Sequence, residues 1–509
     1  MGEHTYWAEM GDMLSVNGNI VVRGMTMRFV ILFLAATIGL ALATPASAAA
    51  TVTLSAVTGR PYLAVTVTGA SFTASEAVDV YFDTTDTLLL VSNASGGVTG
   101  SLTIPATASP GIHYITMVGR RAGDAAQASF TVATPWAEMG FGLGRLGWNP
   151  YENTISNTNA PSLGVLWSST MPGGGGAPAI AYGRAIFGTY NSGVESFNAA
   201  NGAAQWHNAT PGAVYASPTI YINTVYVGSS SSVFYALNSG TGATQWSKTV
   251  GGPIYSSATV VGGLVYFGAY DDKVYALQTS TGAVAWTFTT GAGIESSPTV
   301  VGNILYIGSL DGSFYALNAT TGQEIWSYSV GSQIESSPAV VNGLVYFGAD
   351  DSKVYALNAS TGALVWSYAT GGDVYVPPAV AHGVVYAGSA DGKLYALDAR
   401  TGALRWTFAA GGVVEGSSVA NGVVYVTNRP GGAFFLDAGT GEVLGSTNTG
   451  NTYLGSPAIA NGVVYINTLG GNLYAFAPNA GADFKPATRL PPSPENLRPD
   501  MRLTVATTP

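Results

Sequence analysis

Across residues 161–479, apolar and polar positions alternate in short runs that recur about every forty positions. A typical unit is Ile334-Glu-Ser-Ser-Pro-Ala-Val-Val-Asn-Gly-Leu-Val-Tyr-Phe-Gly-Ala-Asp-Asp-Ser-Lys-Val-Tyr-Ala-Leu-Asn-Ala-Ser-Thr-Gly-Ala-Leu-Val-Trp366. Period-two alternation broken by turn residues marks strands. Four such runs fit in each unit, and no helical period interrupts them. Tryptophans stand at Trp167, Trp206, Trp246, Trp286, Trp326, Trp366 and Trp406, spaced by 39 and then by 40 five times, with Gly445 in the next place. A fixed period of this length is the mark of a repeat architecture. One four-stranded sheet per unit, arranged radially, leaves few edges open.

Eight second strands are legible, at Ala185-Ile-Phe187, Val225-Tyr226, Val265-Tyr266, Leu305-Tyr306, Val345-Tyr346, Val385-Tyr386, Val424-Tyr425 and Val464-Tyr465. The eighth unit stops at Tyr474-Ala-Phe476 without a fourth strand, while a spare run, Leu163-Gly-Val-Leu-Trp167-Ser, precedes the first. Pairing the early run into the last sheet closes the ring. The pattern predicts an all-β chain whose main part is an eight-bladed β-propeller over 161–479.

Upstream, residues 49–134 alternate in runs such as Tyr62-Leu-Ala-Val-Thr-Val-Thr68 and Ala77-Val-Asp-Val-Tyr-Phe82, which predicts a small β-sandwich of about seven strands. Asp79, Asp83 and Asp86 lack the density of a calcium loop and read as solvated hairpin ends, with His113 an ordinary strand side chain. Residues 1–48 hold Arg23 and Arg28, the apolar run Phe29–Leu42 and Ala46-Ser-Ala48. This is the layout of a secretory signal peptide cut near Ala48. It implies an exported protein, extracellular or in the cell envelope, with no membrane span in the mature chain. Residues 135–160 read as a linker or lead-in, and the proline-rich 480–509 as a disordered tail.

Composition sharpens this picture. The chain has 509 residues, of which 47% are hydrophobic and only 9% charged, so disorder throughout is excluded. The net charge of −10 disfavours nucleic acid as a partner. The absence of cysteine excludes disulfides, thiolate metal sites and cysteine nucleophiles. Gly142-Leu-Gly-Arg-Leu-Gly147 spells a dinucleotide-binding string, but neither follows a strand nor opens a helix.

The segment Ala356-Leu-Asn-Ala-Ser-Thr-Gly-Ala-Leu-Val-Trp366 resembles the tryptophan-docking motif of PQQ-like propeller repeats. It recurs ending at Trp246, Trp286, Trp326 and Trp406, and more loosely at Trp206. Within 49–134, Gly69-Ala-Ser-Phe72, Gly100-Ser-Leu-Thr-Ile-Pro105 and Pro110-Gly-Ile-His-Tyr114 resemble bacterial Ig-like (IPT/TIG-like) modules, which implies a spacer or adhesive role. The seven tryptophans are the expected docking residues between sheets. The resemblance also implies, for catalytic quinoproteins, a PQQ–calcium site with Glu, Asn and Asp ligands, an Asp base, a tryptophan floor and often vicinal cysteines. Here the propeller tryptophans all stand at docking positions, Trp136 and Trp148 fall in the lead-in, and no cysteine exists, so neither cofactor nor metal is expected. A further resemblance, to the propeller lipoprotein of the outer-membrane barrel-assembly machinery, implies a lipidated cysteine that this chain lacks.

Strand parity places two sets of residues on one face: the starts of the inner strands and the second hairpins. The inner-strand starts are Gly175, Tyr215, Tyr255, Glu295, Glu335, Tyr375, Glu415 and Leu454. The hairpins carry Asp271, Asp272, Lys273, Asp311, Asp350, Asp351, Lys353, Asp391, Lys393 and Arg429. Two readings stand side by side. One is an acidic, tyrosine-lined funnel whose ligand-binding candidates are Tyr215, Tyr255, Glu295, Glu335, Tyr375 and Glu415. The other is that Asp and Lys serve turn geometry and solubility. The leading expectation is a secreted, monomeric, non-catalytic scaffold that binds a protein or glycan at the funnel. The alternative is a PQQ- and calcium-dependent alcohol or sugar dehydrogenase.

Overall fold

The computed structural model describes residues 49–191, 193–450 and 456–480. The expected signal peptide, most of the tail and Leu454 lie outside the described residues. Among the described residues, no helix is long and apolar enough to cross a membrane.

Residues 51–132 form two β-sheets, one of three strands and one of five, and valines such as Val65, Val67, Val78 and Val80 are buried between them. Asp79 and Asp83, expected to be solvated, are instead buried. Arg120 donates to both oxygens of Asp79, and His113 Nδ1 lies 2.8 Å from Asp83 Oδ2. Alternation alone cannot reveal which long-range partner neutralises an inward carboxylate.

From residue 163 onward, sheets of consecutive antiparallel strands follow one another. The one at Ala339–Val341, Leu344–Ala349, Lys353–Asn358 and Leu364–Ala369 is typical. Its second and third strands are almost wholly buried, while its fourth is exposed except at Trp366, which is buried, and Tyr368, which is half-buried. Eight such sheets occur among the described residues. The last is completed by Leu163–Thr170, which pairs antiparallel with Asn472–Pro478. The innermost strand of each sheet neighbours that of the next, and the eighth lies beside the first.

Recurring residues build seven of the eight seams between these sheets. The Ser-Ser-Pro-Thr text of the inner strands stitches neighbours together: Ser217 N donates to Ser257 Oγ, Ser257 N to Ser297 Oγ and Ser297 N to Ser337 Oγ, each at 2.8 Å. All seven docking indoles donate Nε1–H to a carbonyl of the following sheet at 2.8–3.3 Å. Each indole also lies against the glycine of that sheet's outer hairpin, Gly202, Gly242, Gly282, Gly322, Gly362, Gly402 or Gly441. These glycines have φ of 70–75°, and a Cβ on any of them would stand 2.5–2.7 Å from the ring. Only glycine meets both demands. At six seams a second-strand tyrosine donates to the same carbonyl, as Tyr346 does to Ala399 at 3.0 Å. Tyr465 and Trp167 meet at Ala199 and so tie the eighth sheet to the first.

Residues 135–160 do more than link. Trp136 exchanges backbone hydrogen bonds with Ile180, and Ala137 O accepts from Ile220 N. Gly144, Leu146 and Gly147 carbonyls accept from Val340, Val380 and Val419, and Asn149 Nδ2 donates to Ile459 O. At the third and fourth sheets the contact passes through Arg145. Its buried guanidinium donates to Thr259 Oγ1, to the carbonyls of Ser257 and Ala258, and to Pro298 O at 2.8 Å. Burial pulls Arg145 down to about 10, and nearby Glu138 opposes that shift. The segment is thus a strap that meets the inner strands of all eight sheets. Its G-x-G-x-x-G string serves close approach, since a Cβ on Gly144 would stand 2.8 Å from Val340 O and one on Gly147 the same distance from Ala379 Cβ.

Candidate functional site

The strap meets each inner strand about five residues beyond its start, so the starts lie at the opposite, open end. There Tyr215, Tyr255, Glu295, Glu335 and Tyr375 line one cavity of about 530 Å3, together with Tyr270. A cavity of about 20 Å3 lies between the inner strands and the strap, bordered by Trp136, Arg145, Pro378, Ser417 and Pro457. The funnel is therefore a cup with a closed floor, and Trp136 of the lead-in, fully buried, belongs to that floor.

One wall of the cup is aromatic. Tyr190, Tyr215, Tyr255 and Tyr270 contact one another edge to face, with centroids 4.7, 5.3 and 4.9 Å apart in that order. The chain ends at Glu295, which accepts a hydrogen bond from the Tyr270 hydroxyl. The opposite wall is acidic. Burial, then Glu295, Asp350 and Asp373, push Glu335 up to about 7. Burial and Asp350 also raise Glu295, and burial and Asp373 raise Asp350. Among the described residues, Asp350 Oδ1 is buried with no hydrogen-bond partner.

Glu415 stands apart from that lining. It is buried, ion-paired with Arg429, and its Oε1 lies 3.4 Å from the Tyr375 hydroxyl. Burial and Glu415 hold that hydroxyl well above the ordinary tyrosine range. Gly175, the first sheet's counterpart, donates its N–H to Gly188 O and brings no side chain.

The hairpin aspartates divide into two groups. Asp271, Asp311, Asp351 and Asp391 each accept from the tyrosine four residues on, Tyr275, Tyr315, Tyr355 and Tyr395, at 2.5–2.8 Å. Lys273, Lys353 and Lys393 pair with three of them. These serve the turns. Asp350 does not, because it occupies the first hairpin position. That position is Tyr190, Tyr270 and Arg429 in other sheets, and its N–H bonds back to the start of its own sheet's inner strand, as Tyr270 N does to Pro253 O and Arg429 N to Val413 O. Tyr190 and Tyr270 went unnoticed in the sequence, although a scan of this one position for aromatic and charged residues finds both.

The consecutive four-stranded sheets, tryptophan docking and closed ring define a β-propeller of PQQ-like repeats. The chain belongs to the family described as outer membrane protein assembly factor BamB, which matches residues 151–287, 231–333, 315–415 and 399–483. Among solved structures, BamB from Moraxella catarrhalis is similar over 62% of this chain and 97% of its own, with a TM-score of 0.55 and 19% identity. The quinohemoprotein alcohol dehydrogenase ADHIIG from Pseudomonas putida HK5 is similar over 70% and 82%, with a TM-score of 0.61 and 17% identity. The computationally designed Ika8 protein is similar over 62% and 99%, with a TM-score of 0.57 and 18% identity. At such identities the likeness shows the fold alone. No curated protein sequence matches the chain.

Proposed function

We propose that this chain is an exported, monomeric, eight-bladed propeller that binds a protein or glycan ligand in its cup without catalysing a reaction, presented by an Ig-like domain at 49–134. The observation that carries this reading is the cup itself: a floor sealed by the strap beneath a cavity of about 530 Å3 with one tyrosine wall and one glutamate wall. Concave sites of a few hundred Å3 with a few convergent polar groups are the ordinary form of ligand pockets. The family's own description, an outer membrane assembly factor, supports placement in the cell envelope.

The donor set argues against a PQQ–calcium pair in the cup. Glu295 is engaged by Tyr270 and Glu415 by Arg429. Among the described residues, no three His, Cys, Asp or Glu side chains gather so as to hold a metal ion. A calcium site needs six to eight oxygen ligands, several of them carboxylate. Adding PQQ with Ca2+ to purified protein tests this directly. The expected result is neither quinone absorbance on the protein nor dye reduction. Dye reduction that disappears in Glu295→Gln would overturn the non-catalytic reading.

A further inference from the structure

Resting on the reading of the cup as a binding site, we infer that its occupant is a cationic side chain, lysine or arginine, borne on a segment of a partner protein. The argument begins with unbalanced charge. On the surrounding hairpins, Asp271, Asp351 and Asp391 each have a lysine of their own, and Glu415 has Arg429. Among the described residues, no Lys or Arg stands within ion-pair distance of Glu295, Glu335, Asp350 or Asp373. Burial, and after it repulsion from Glu295, Asp350 and Asp373, holds Glu335 at about 7, and among the described residues a buried oxygen of Asp350 has no donor. Carboxylates drawn together without a counter-charge cost free energy that a cation would recover.

The second observation is independent of charge. Across the cavity, Tyr215, Tyr255 and Tyr270, continued behind the lining by Tyr190, hold one another edge to face, an aromatic surface whose ring faces attract cations. An ammonium or guanidinium group between the two walls meets ring faces on one side and Glu335 on the other. Because the floor is sealed, the ligand enters and leaves through the mouth. This suits a long side chain that reaches in while its backbone stays at the rim. A neutral sugar would stack on the tyrosines but leave the carboxylates desolvated and uncompensated.

Titration calorimetry of the full chain with tetralysine, Nε-acetylated tetralysine, an uncharged cello-oligosaccharide and a glucosamine oligomer tests the inference. Tetralysine should bind, and more weakly as salt is raised. The acetylated peptide and the neutral sugar should not. Glu335→Gln and Tyr255→Leu should each weaken tetralysine by roughly tenfold, the scale of one desolvated cation contact. Near pH 7 the cation should expel a proton from Glu335, so the measured heat should depend on the buffer's ionisation enthalpy in the wild type and not in Glu335→Gln. Equal or tighter binding of the neutral sugar or the acetylated peptide would overturn the cationic occupant while leaving a binding scaffold standing. Binding of the glucosamine oligomer without tetralysine would overturn the protein-borne source. If no probe binds and PQQ with Ca2+ supports dye reduction, the scaffold reading falls as well.

Discussion

Seven seams of the propeller are built alike, and the eighth is not. Where each of the first six sheets meets the next, and where the eighth meets the first, an indole donates to a carbonyl and covers a positive-φ glycine. Between the seventh and eighth sheets, Gly445 replaces the indole and faces Ala160 and Pro161 of the lead-in. Tyr425, the counterpart of the donating tyrosines, has a buried hydroxyl without a partner among the described residues. The work passes to residues 150–162. Glu152 accepts from Gly462 N at 2.9 Å, Asn421 Nδ2 donates to Ile155 O at 2.9 Å, Asn157 donates to Asp437, and Ile155 is fully buried. A repeat can thus dock by its own motif only where a complete repeat follows. At the place where the chain's two ends meet, the seam is made by unique sequence.

The largest expected effect tests whether the strap is structural. Arg145→Met removes the guanidinium's hydrogen bonds to Thr259 Oγ1 and to the carbonyls of Ser257, Ala258 and Pro298, and should cost about 3–5 kcal/mol, read as a shift in the denaturation midpoint. A loss under about 1 kcal/mol would reduce the strap to a passive tether. Next, Gly445→Trp inserts the residue the other seams use. Because Ala160 and Pro161 already fill that place, it should destabilise by about 2–3 kcal/mol rather than strengthen the seam. A stabilised variant would mean that the eighth seam is merely degenerate.

A smaller effect separates clash from backbone strain. Gly362→Ala meets Trp326 at φ 72° and should cost about 2 kcal/mol, whereas Gly343→Ala, at φ 76° with open space around it, should cost about 1 kcal/mol. Equal losses would show that the indole contributes no packing there. Smallest of all, Tyr346→Phe gives up a hydrogen bond to Ala399 and should lose about 1 kcal/mol, while Tyr425→Phe should be neutral or slightly stabilising. Equivalent losses at both would place a hidden acceptor at Tyr425.

The same contrast explains what the sequence could disclose. The period, the tryptophans and the closing role of Leu163–Thr170 were legible because each repeat states its contacts in side chains at fixed offsets. The cup was legible in part, since Tyr215, Tyr255, Glu295, Glu335 and Tyr375 share one place in the period. Tyr270 and Tyr190 were hidden because the same position is Ser230, Leu310 or Ala390 in other sheets, so it carries no consistent type. The strap was illegible for a different reason. Ala137, Gly144, Leu146 and Gly147 act through backbone carbonyls, which any residue supplies, and their partners lie up to several hundred positions away. Asp79 and Asp83 misled for a related cause, because the residues that pair with them, Arg120 and His113, lie 41 and 30 positions away.

The pairing of Leu163–Thr170 with Asn472–Pro478 also sets a timetable. A ribosome makes the first of these strands early and the second near the end, so a nascent chain holds an apolar, unpaired ribbon for most of its synthesis. Any product truncated before Asn472 carries that ribbon permanently, and such open edges recruit other chains. Prematurely terminated copies should therefore accumulate as aggregates rather than as smaller soluble rings.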